Sequence, residues 1–212
     1  MRRFRLMFSK GEPVRYISHL DLMRTWERSL RRAGVRLAHT EGYNPRPRLI
    51  FAAPLQVGVT SDAEIVDVIV EGEPTAEEFR GLIEPSVAPG IRVLDVCEVE
   101  PHAPPLMANV ASADYVLTLA NAVDLARLRA FLGSVSAPYQ RSRKGGIKTA
   151  DMRPAVLDLW QEGERQLGMR LRLDVEGLGV RPEEVLKALD PGWEALRIHR
   201  TKLHLKQEAH AA

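Results

Sequence analysis

Residues 15–48 read RYISHLDLMRTWERSLRRAGVRLAHTEGYNPRPR, and most of the fold is decided there. Ser18 has the chemistry of a helix N-cap: its hydroxyl can accept from the free backbone N–H of Asp21, and an anion in the first turn suits the helix dipole. Ile17 before the cap and Leu22 after it have the spacing of a hydrophobic staple. Leu22, Trp26 and Leu30 recur every four residues, with Met23 and Ala33 beside them. The spacing predicts a helix over 18–33 with one apolar stripe, ended by Gly34 in the left-handed region. Arg24, Arg28, Arg31 and Arg32 fall on another face.

Beyond the helix, Val35–Thr40 reads as a short strand and Gly42-Tyr43-Asn44-Pro45-Arg46-Pro47-Arg48 as a loop. Its two prolines fix φ and restrict Asn44 and Arg46. A stiff loop presents Arg46 and Arg48, with Asn44, at little entropic cost, and guanidinium binds phosphate or carboxylate bidentately. The competing reading is a proline-rich turn with solvated arginines.

Outward from this centre, Arg3–Ser9 alternates apolar Phe4, Leu6 and Phe8 with Arg3, Arg5 and Met7, the period of a half-buried strand. Lys10-Gly11-Glu12-Pro13 reads as a turn. Leu49–Ala53 and Glu64–Glu71 read as strands on either side of Gly58-Val59-Thr60-Ser61. Pro74 sits in the first turn of a helix reaching about residue 84, and Ile91–Val99 is a further strand. Residues 101–112, with three prolines, read as a linker. The order then restarts. A strand at 115–119 precedes a helix capped by Asn121 that runs to about 132. Strands follow near 137–142, 154–160 and 168–176. Pro182 opens a helix to about 189, and 195–205 is a last strand. Val70-Glu71-Gly72 is echoed by Val175-Glu176-Gly177. The expected fold is α+β: two tandem ferredoxin-like (β-α-β-β-α-β) units with antiparallel sheets. The expected division is 1–100, a linker at 101–112, 113–206, and a tail at 207–212.

The chain has 212 residues and a formal net charge of +2, unevenly spread. Residues 1–50 hold 12 Lys/Arg against 4 Asp/Glu, 51–125 hold 2 against 13, 126–170 hold 9 against 4, and the remainder balances. Two basic blocks flank an acidic one, the footprint of a positive face if the fold joins them. The single cysteine, Cys97, excludes an intramolecular disulfide and a cysteine-based zinc or iron–sulfur site within this chain. A reduced, cytoplasmic setting follows as the expectation. The N-terminus lacks the apolar core of a signal peptide, and no segment has the length of a membrane span.

A second polar cluster runs from Arg141 to Pro154 and includes Lys144, Gly145, Gly146, Lys148, Asp151 and Arg153. Paired glycines let backbone N–H groups approach an anion, and the flanking cations would neutralise it. The alternative is a hairpin turn with solvated charges. The glycines lack the following Lys and Ser/Thr of a nucleotide phosphate loop. Of the six histidines, His199 and His204 face opposite sides of a strand, no pair has metalloprotease spacing, and no metal site is expected. His19, beside Tyr16 and Asp21 at a helix start, is a candidate acid or base, or else an exposed helix-start histidine.

Arg15-Tyr16-Ile17-Ser18-His19-Leu20-Asp21, Gly42-Tyr43-Asn44-Pro45-Arg46-Pro47, and Gly58-Val59-Thr60-Ser61 with Glu64 resemble the radical-SAM-linked family of uncharacterised bacterial proteins. Lys144, Lys148, Asp151, Arg153 and Pro154 resemble that family's second motif. The resemblance implies a partner: a radical SAM protein with a cobalamin-binding-type domain, bringing S-adenosylmethionine, an iron–sulfur cluster and cobalamin. This chain has no CxxxCxxC motif, and no cofactor of its own is expected. A weaker similarity is to the repeat-associated RNA endonucleases of CRISPR systems, which pair two ferredoxin-like units. The expected function is a non-catalytic accessory module binding RNA or another anionic substrate through Arg15, Asn44, Arg46, Arg48, Lys144, Lys148, Asp151 and Arg153. In that expectation the loops 42–48 and 141–153 line one groove. One alternative is metal-independent RNA cleavage with His19 and Tyr16. Another is a pure interaction subunit docking on the radical SAM protein.

Overall fold

The computed structural model describes residues 1–100, 103–143, 146–174 and 179–206. Lys144, Gly145, His102, the Val175-Glu176-Gly177 echo and the 207–212 tail lie outside the described residues. The fold is mixed α+β with antiparallel strand pairing. The chain divides into two compact units, one of residues 1–110 with Leu205 and Lys206, the other of Ala111–His204.

In the first unit, strand β1 (Arg2–Lys10) alternates as its sequence dictates, and Phe4, Leu6 and Phe8 are fully buried. Helix α1 (His19–Arg32) lies on that face with Leu22, Trp26 and Leu30 inside. Trp26 meets Phe8 edge to face at 4.9 Å. Ser18 caps the helix, its Oγ accepting from Asp21 N at 3.2 Å, and Gly34 follows at φ 74°. Strands β2 (Leu49–Phe51), β3 (Val59–Val70) and β4 (Ile91–Glu98) complete the sheet in the order β4-β1-β3, with β2 on β3. Helix α2 (Ala76–Ile83) places Phe79 against Phe4, stacked at 4.6 Å.

Several boundaries differ from the expected ones. Pro74 is not in the first turn of α2. Thr75 is the cap, because Thr75 Oγ1 accepts from Glu78 N at 3.2 Å while the Glu78 carboxylate accepts from Thr75 N at 2.8 Å. Residues 35–40 are not a strand; they make only single bridges, Leu37 to Val70 and His39 to Pro47. Pro47 has no N–H with which to extend a ladder. Residues 59–61, expected to lie between two strands, open β3. Residues 106–109, expected within a linker, form the short helix α3 (Leu106–Asn109) with Leu106 fully buried.

In the second unit, β5 (Val110–Leu119) is followed by α4 (Leu125–Leu132). Asp124 caps α4 through Ala126 N at 2.8 Å, where Asn121 was expected. Strands β6 (Pro138–Arg143) and β7 (Gly146–Asp151) form a separate hairpin, so the second polar cluster is largely strand rather than loop. Then come β8 (Val156–Gly163), β9 (Gln166–Arg172), α5 (Pro182–Leu189) and β10 (Ala195–Leu205), with sheet order β10-β5-β9-β8. Trp160 lies directly over Gly168 on the neighbouring strand. A Cβ at 168 would meet the indole at 2.0 Å, so only glycine fits.

In each unit the strands bury a carboxylate on the face opposite the apolar one. Asp67 is fully buried and opposes Arg5 across β1 and β3. Arg5 Nε donates to its Oδ1 at 2.8 Å and Arg5 Nη2 to Oδ2 at 3.0 Å. Arg3 Nε donates to Oδ2 at 2.9 Å. In the second unit Arg170 Nε donates to Asp114 Oδ1 at 2.7 Å across β5 and β9, and His204 Nε2 lies 2.9 Å from Oδ2. Burial pushes the Asp114 carboxyl up, but the bonds from Arg170 and His204 outweigh it and hold the group below the ordinary carboxylate value.

Removing the anion between Arg3 and Arg5 leaves two cations with no counter-charge, Arg5 fully enclosed. Asp67→Asn is expected to destabilise the protein by about 3–5 kcal/mol, read as a drop in the urea unfolding midpoint. A loss near zero would show that the triad is solvated in solution.

Candidate functional site

The polar residues of the first motif and of the 58–64 segment converge at one end of the first unit's sheet. Lys10 shares the face of Phe4, Leu6 and Phe8 and is 1% exposed. It is the last residue of β1, not part of a solvated turn. Its Nζ donates to Arg15 O at 3.0 Å and Val59 O at 3.2 Å, tying the start of the helical segment to the start of β3. The same two segments meet again where Gly58 N donates to Arg15 O at 2.8 Å. Gly58 has φ +85°, a conformation other residues adopt only with strain.

Around this tie stand the candidate chemical groups. His19, first residue of α1, is half-buried and packs edge to face on Phe51 at 5.2 Å. Glu64, fully buried on β3 opposite Phe8, faces the same region. Burial holds the His19 imidazole below its ordinary value of 6.5, while the Glu64 charge pulls in the opposite direction. Arg15 pairs with Glu12 at 2.9 Å and lies 4.6 Å from the Tyr16 ring centre. The Glu12 hydrogen bond raises the Arg15 pKa against the effect of burial. Tyr16 is 70% exposed. The structure thus brings Arg15, Tyr16 and His19 together, and adds Lys10 and Glu64. Lys10 was legible in the even-numbered alternation Phe4, Leu6, Phe8, Lys10; Glu64 was legible only as a motif member.

The Asn-Pro-Arg-Pro loop is closed at its base. Thr40 N donates to Arg46 O at 2.9 Å, Arg46 N to Thr40 Oγ1 at 3.0 Å, and Arg48 N to Ala38 O at 2.9 Å. Tyr43, Asn44 and Arg46 are exposed. The side chains of Arg46 and Arg48 make no ion pair with the described residues.

In the second unit the basic residues divide. Arg141 donates to Glu184 Oε1 at 2.7 Å and to Gly179 O at 2.7 Å. Arg153 donates to Val156 O at 2.7 Å and Leu132 O at 2.8 Å. Asp151 meets Arg153 at the backbone: its Oδ1 accepts from Ala137 N at 2.8 Å and Arg153 N at 2.9 Å, and these bonds lower its pKa. Lys148 is exposed on β7 opposite Arg141. Among the described residues no group of three His, Cys, Asp or Glu side chains is placed to hold a metal ion. No helix among them is long and apolar enough to cross a membrane.

A family model described as "Uncharacterized protein conserved in bacteria (DUF2344)" matches residues 3–182. No curated protein matches the sequence. Among solved structures, a chain of a Cbf5–Nop10–Gar1 complex is similar at 10% identity and TM-score 0.46, over 94% of this chain and 48% of that one. A pseudouridylate synthase is similar at 13% identity and TM-score 0.40, over 95% of this chain and 62% of that one. The chain spans less than two thirds of the length of either matched structure.

Because burial dominates at His19, its imidazole is expected to titrate below 6.5 in an NMR pH series, and lower still in Glu64→Gln. The unfolded chain then binds the proton that the folded chain refuses. Stability contributed by this group is complete above about pH 6.5 and falls as pH drops below it. His19→Gln should flatten that part of the stability–pH curve. An unchanged curve would sink the assignment.

Proposed function

We propose the following for a chain that belongs to this family of uncharacterised proteins conserved in bacteria: it is a non-catalytic accessory module that binds RNA, or another polyanion, alongside a radical SAM protein. The observation that carries the reading is the set of cations left open. Arg46 and Arg48 leave a loop whose base is fixed by backbone bonds, and Lys148 stands exposed on the β6–β7 hairpin. A preset loop loses little entropy when its arginines engage phosphates. The strand orders β4-β1-β3-β2 and β10-β5-β9-β8 support two tandem ferredoxin-like halves. The partner and its S-adenosylmethionine, iron–sulfur cluster and cobalamin enter through the sequence resemblance, and the cytoplasmic setting through the single cysteine. Asn44 accompanies the loop arginines, and Arg15 supplies charge from the helix start.

A second reading is favoured by one observation, the half-buried His19 beside buried Glu64. In that reading the protein is a metal-independent RNA-cleaving enzyme, with His19 as acid or base and Tyr16 as its neighbour. Cleavage of RNA in EDTA that disappears in His19→Ala would establish it, and no cleavage across a broad RNA panel would remove it.

For the accessory reading, affinity for single-stranded RNA should fall with salt, with a slope of about −0.7 per phosphate contact in a double-logarithmic plot. Arg46→Glu and Lys148→Glu should each weaken binding. Salt-insensitive or absent binding overturns the RNA reading.

A further inference from the structure

Arg48 leads from the proline loop into a cleft of about 310 Å³, whose walls include Arg2, Arg3, Ile50, Ile69 and Pro105. The three guanidinium groups are committed to different degrees. Arg3 spends Nε and Nη2 on Asp67, Nη1 on Ala103 O at 3.2 Å, and Nη2 again on Pro104 O at 3.3 Å. Arg2 makes one ion pair, to Glu98 at 2.9 Å, with both side chains partly exposed at 32% and 42%. Arg48 is exposed and has no ion pair among the described residues. A guanidinium carries five N–H donors, so Arg2 and Arg48 keep most of theirs and Arg3 keeps one.

The charge in and under the cleft is unbalanced. Arg2 pairs with Glu98, Arg3 shares buried Asp67 with Arg5, and Arg48 has no ion pair among the described residues; the Glu78 carboxylate also feels the charge of Arg2. A phosphomonoester carries about −1.5 to −2 at neutral pH, a charge suited to the open donors of Arg2 and Arg48. Its oxygens suit the forks of two arginines. Ile50, Ile69 and Pro105 add an apolar wall that a bare phosphate would leave uncovered. The volume is at the lower end of sites for small organic ligands, about 300–1,000 Å³.

We infer that this cleft binds a terminal phosphomonoester carried on an apolar or aromatic body. Two sources share that chemistry: a free nucleoside monophosphate, and the 5′-phosphorylated end of an RNA strand. The second source rests on the RNA reading above, and the first stands without it.

The test is calorimetric titration of the full chain with adenosine monophosphate, with inorganic phosphate, and with a short oligoribonucleotide bearing a 5′-phosphate or a 5′-hydroxyl. Adenosine monophosphate is expected to bind about tenfold or more tightly than inorganic phosphate, since only it covers the apolar wall. Arg48→Gln, an exposed position, should lose about tenfold in affinity with an unchanged unfolding midpoint. Ile50→Trp, which fills the cleft without altering charge, should lose a comparable amount. Preference for the 5′-phosphorylated strand assigns the cleft to RNA ends; nucleotide binding without that preference assigns it to a free nucleotide. If adenosine monophosphate does not bind and the two strands bind alike, the inference is overturned. Salt-dependent binding of both strands in that case leaves the RNA reading intact. Nucleotide binding with no strand binding does the reverse.

Discussion

Asp67 sets the terms for the first unit. Its carboxylate is out of water, so its charge has to be answered from within the protein. Arg5 answers it from directly across the strand pair and Arg3 from two residues along. The arrangement locks register, because a slip of one residue would turn Asp67 toward Phe4 and Leu6. It also fixes Arg3, which then holds the carbonyls of Ala103 and Pro104 and sets one wall of the arginine cleft. Stability and the candidate ligand chemistry thus share a side chain. The second unit meets the same requirement with Asp114, Arg170 and His204.

What was legible in the sequence was local. Helix α1 could be read because its cap, its apolar stripe and Gly34 all lie within one short segment. Strand β1 and helix α5 were legible for the same reason: alternation in one, and Pro182 at the start of the other. The role of Asp67 was not, since its partners are 62 and 64 residues away and nothing in a Val/Ile run announces them. Lys10 was assigned to a turn because Gly11 and Pro13 follow it, although its place in the alternation put it inside. The start of α2 and the cap of α4 were misplaced by local competition: a Thr–Glu pair put Pro74 outside the helix, and an aspartate that accepts two backbone N–H groups displaced Asn121.

Charge counts along the chain proved a blunt guide to where an anion can bind. A guanidinium already bonded to carboxylates or carbonyls contributes field but few free donors. Arg5, Arg141, Arg153, Arg170 and Arg200 are occupied in this way, Arg200 by the Tyr115 hydroxyl. The open cations are fewer and sit in short irregular stretches or at hairpins, where the backbone is held without help from side chains. The site is therefore defined less by how basic a segment is than by which of its bases the fold has left unspent.

The β6–β7 hairpin stands apart from the main strand ladder, and two strands alone are marginal in water. Its attachment at Arg141 is electrostatic: the guanidinium grips Glu184 on α5 and Gly179 O, and Tyr139 adds one hydroxyl bond to the same carbonyl at 3.3 Å. The pair is largely shielded from water, so salt screens it less than it would a surface pair. The hairpin is therefore seated by a shielded ion pair and a buried ring, Tyr139, together, a hold that changes less with salt than a solvated pair would.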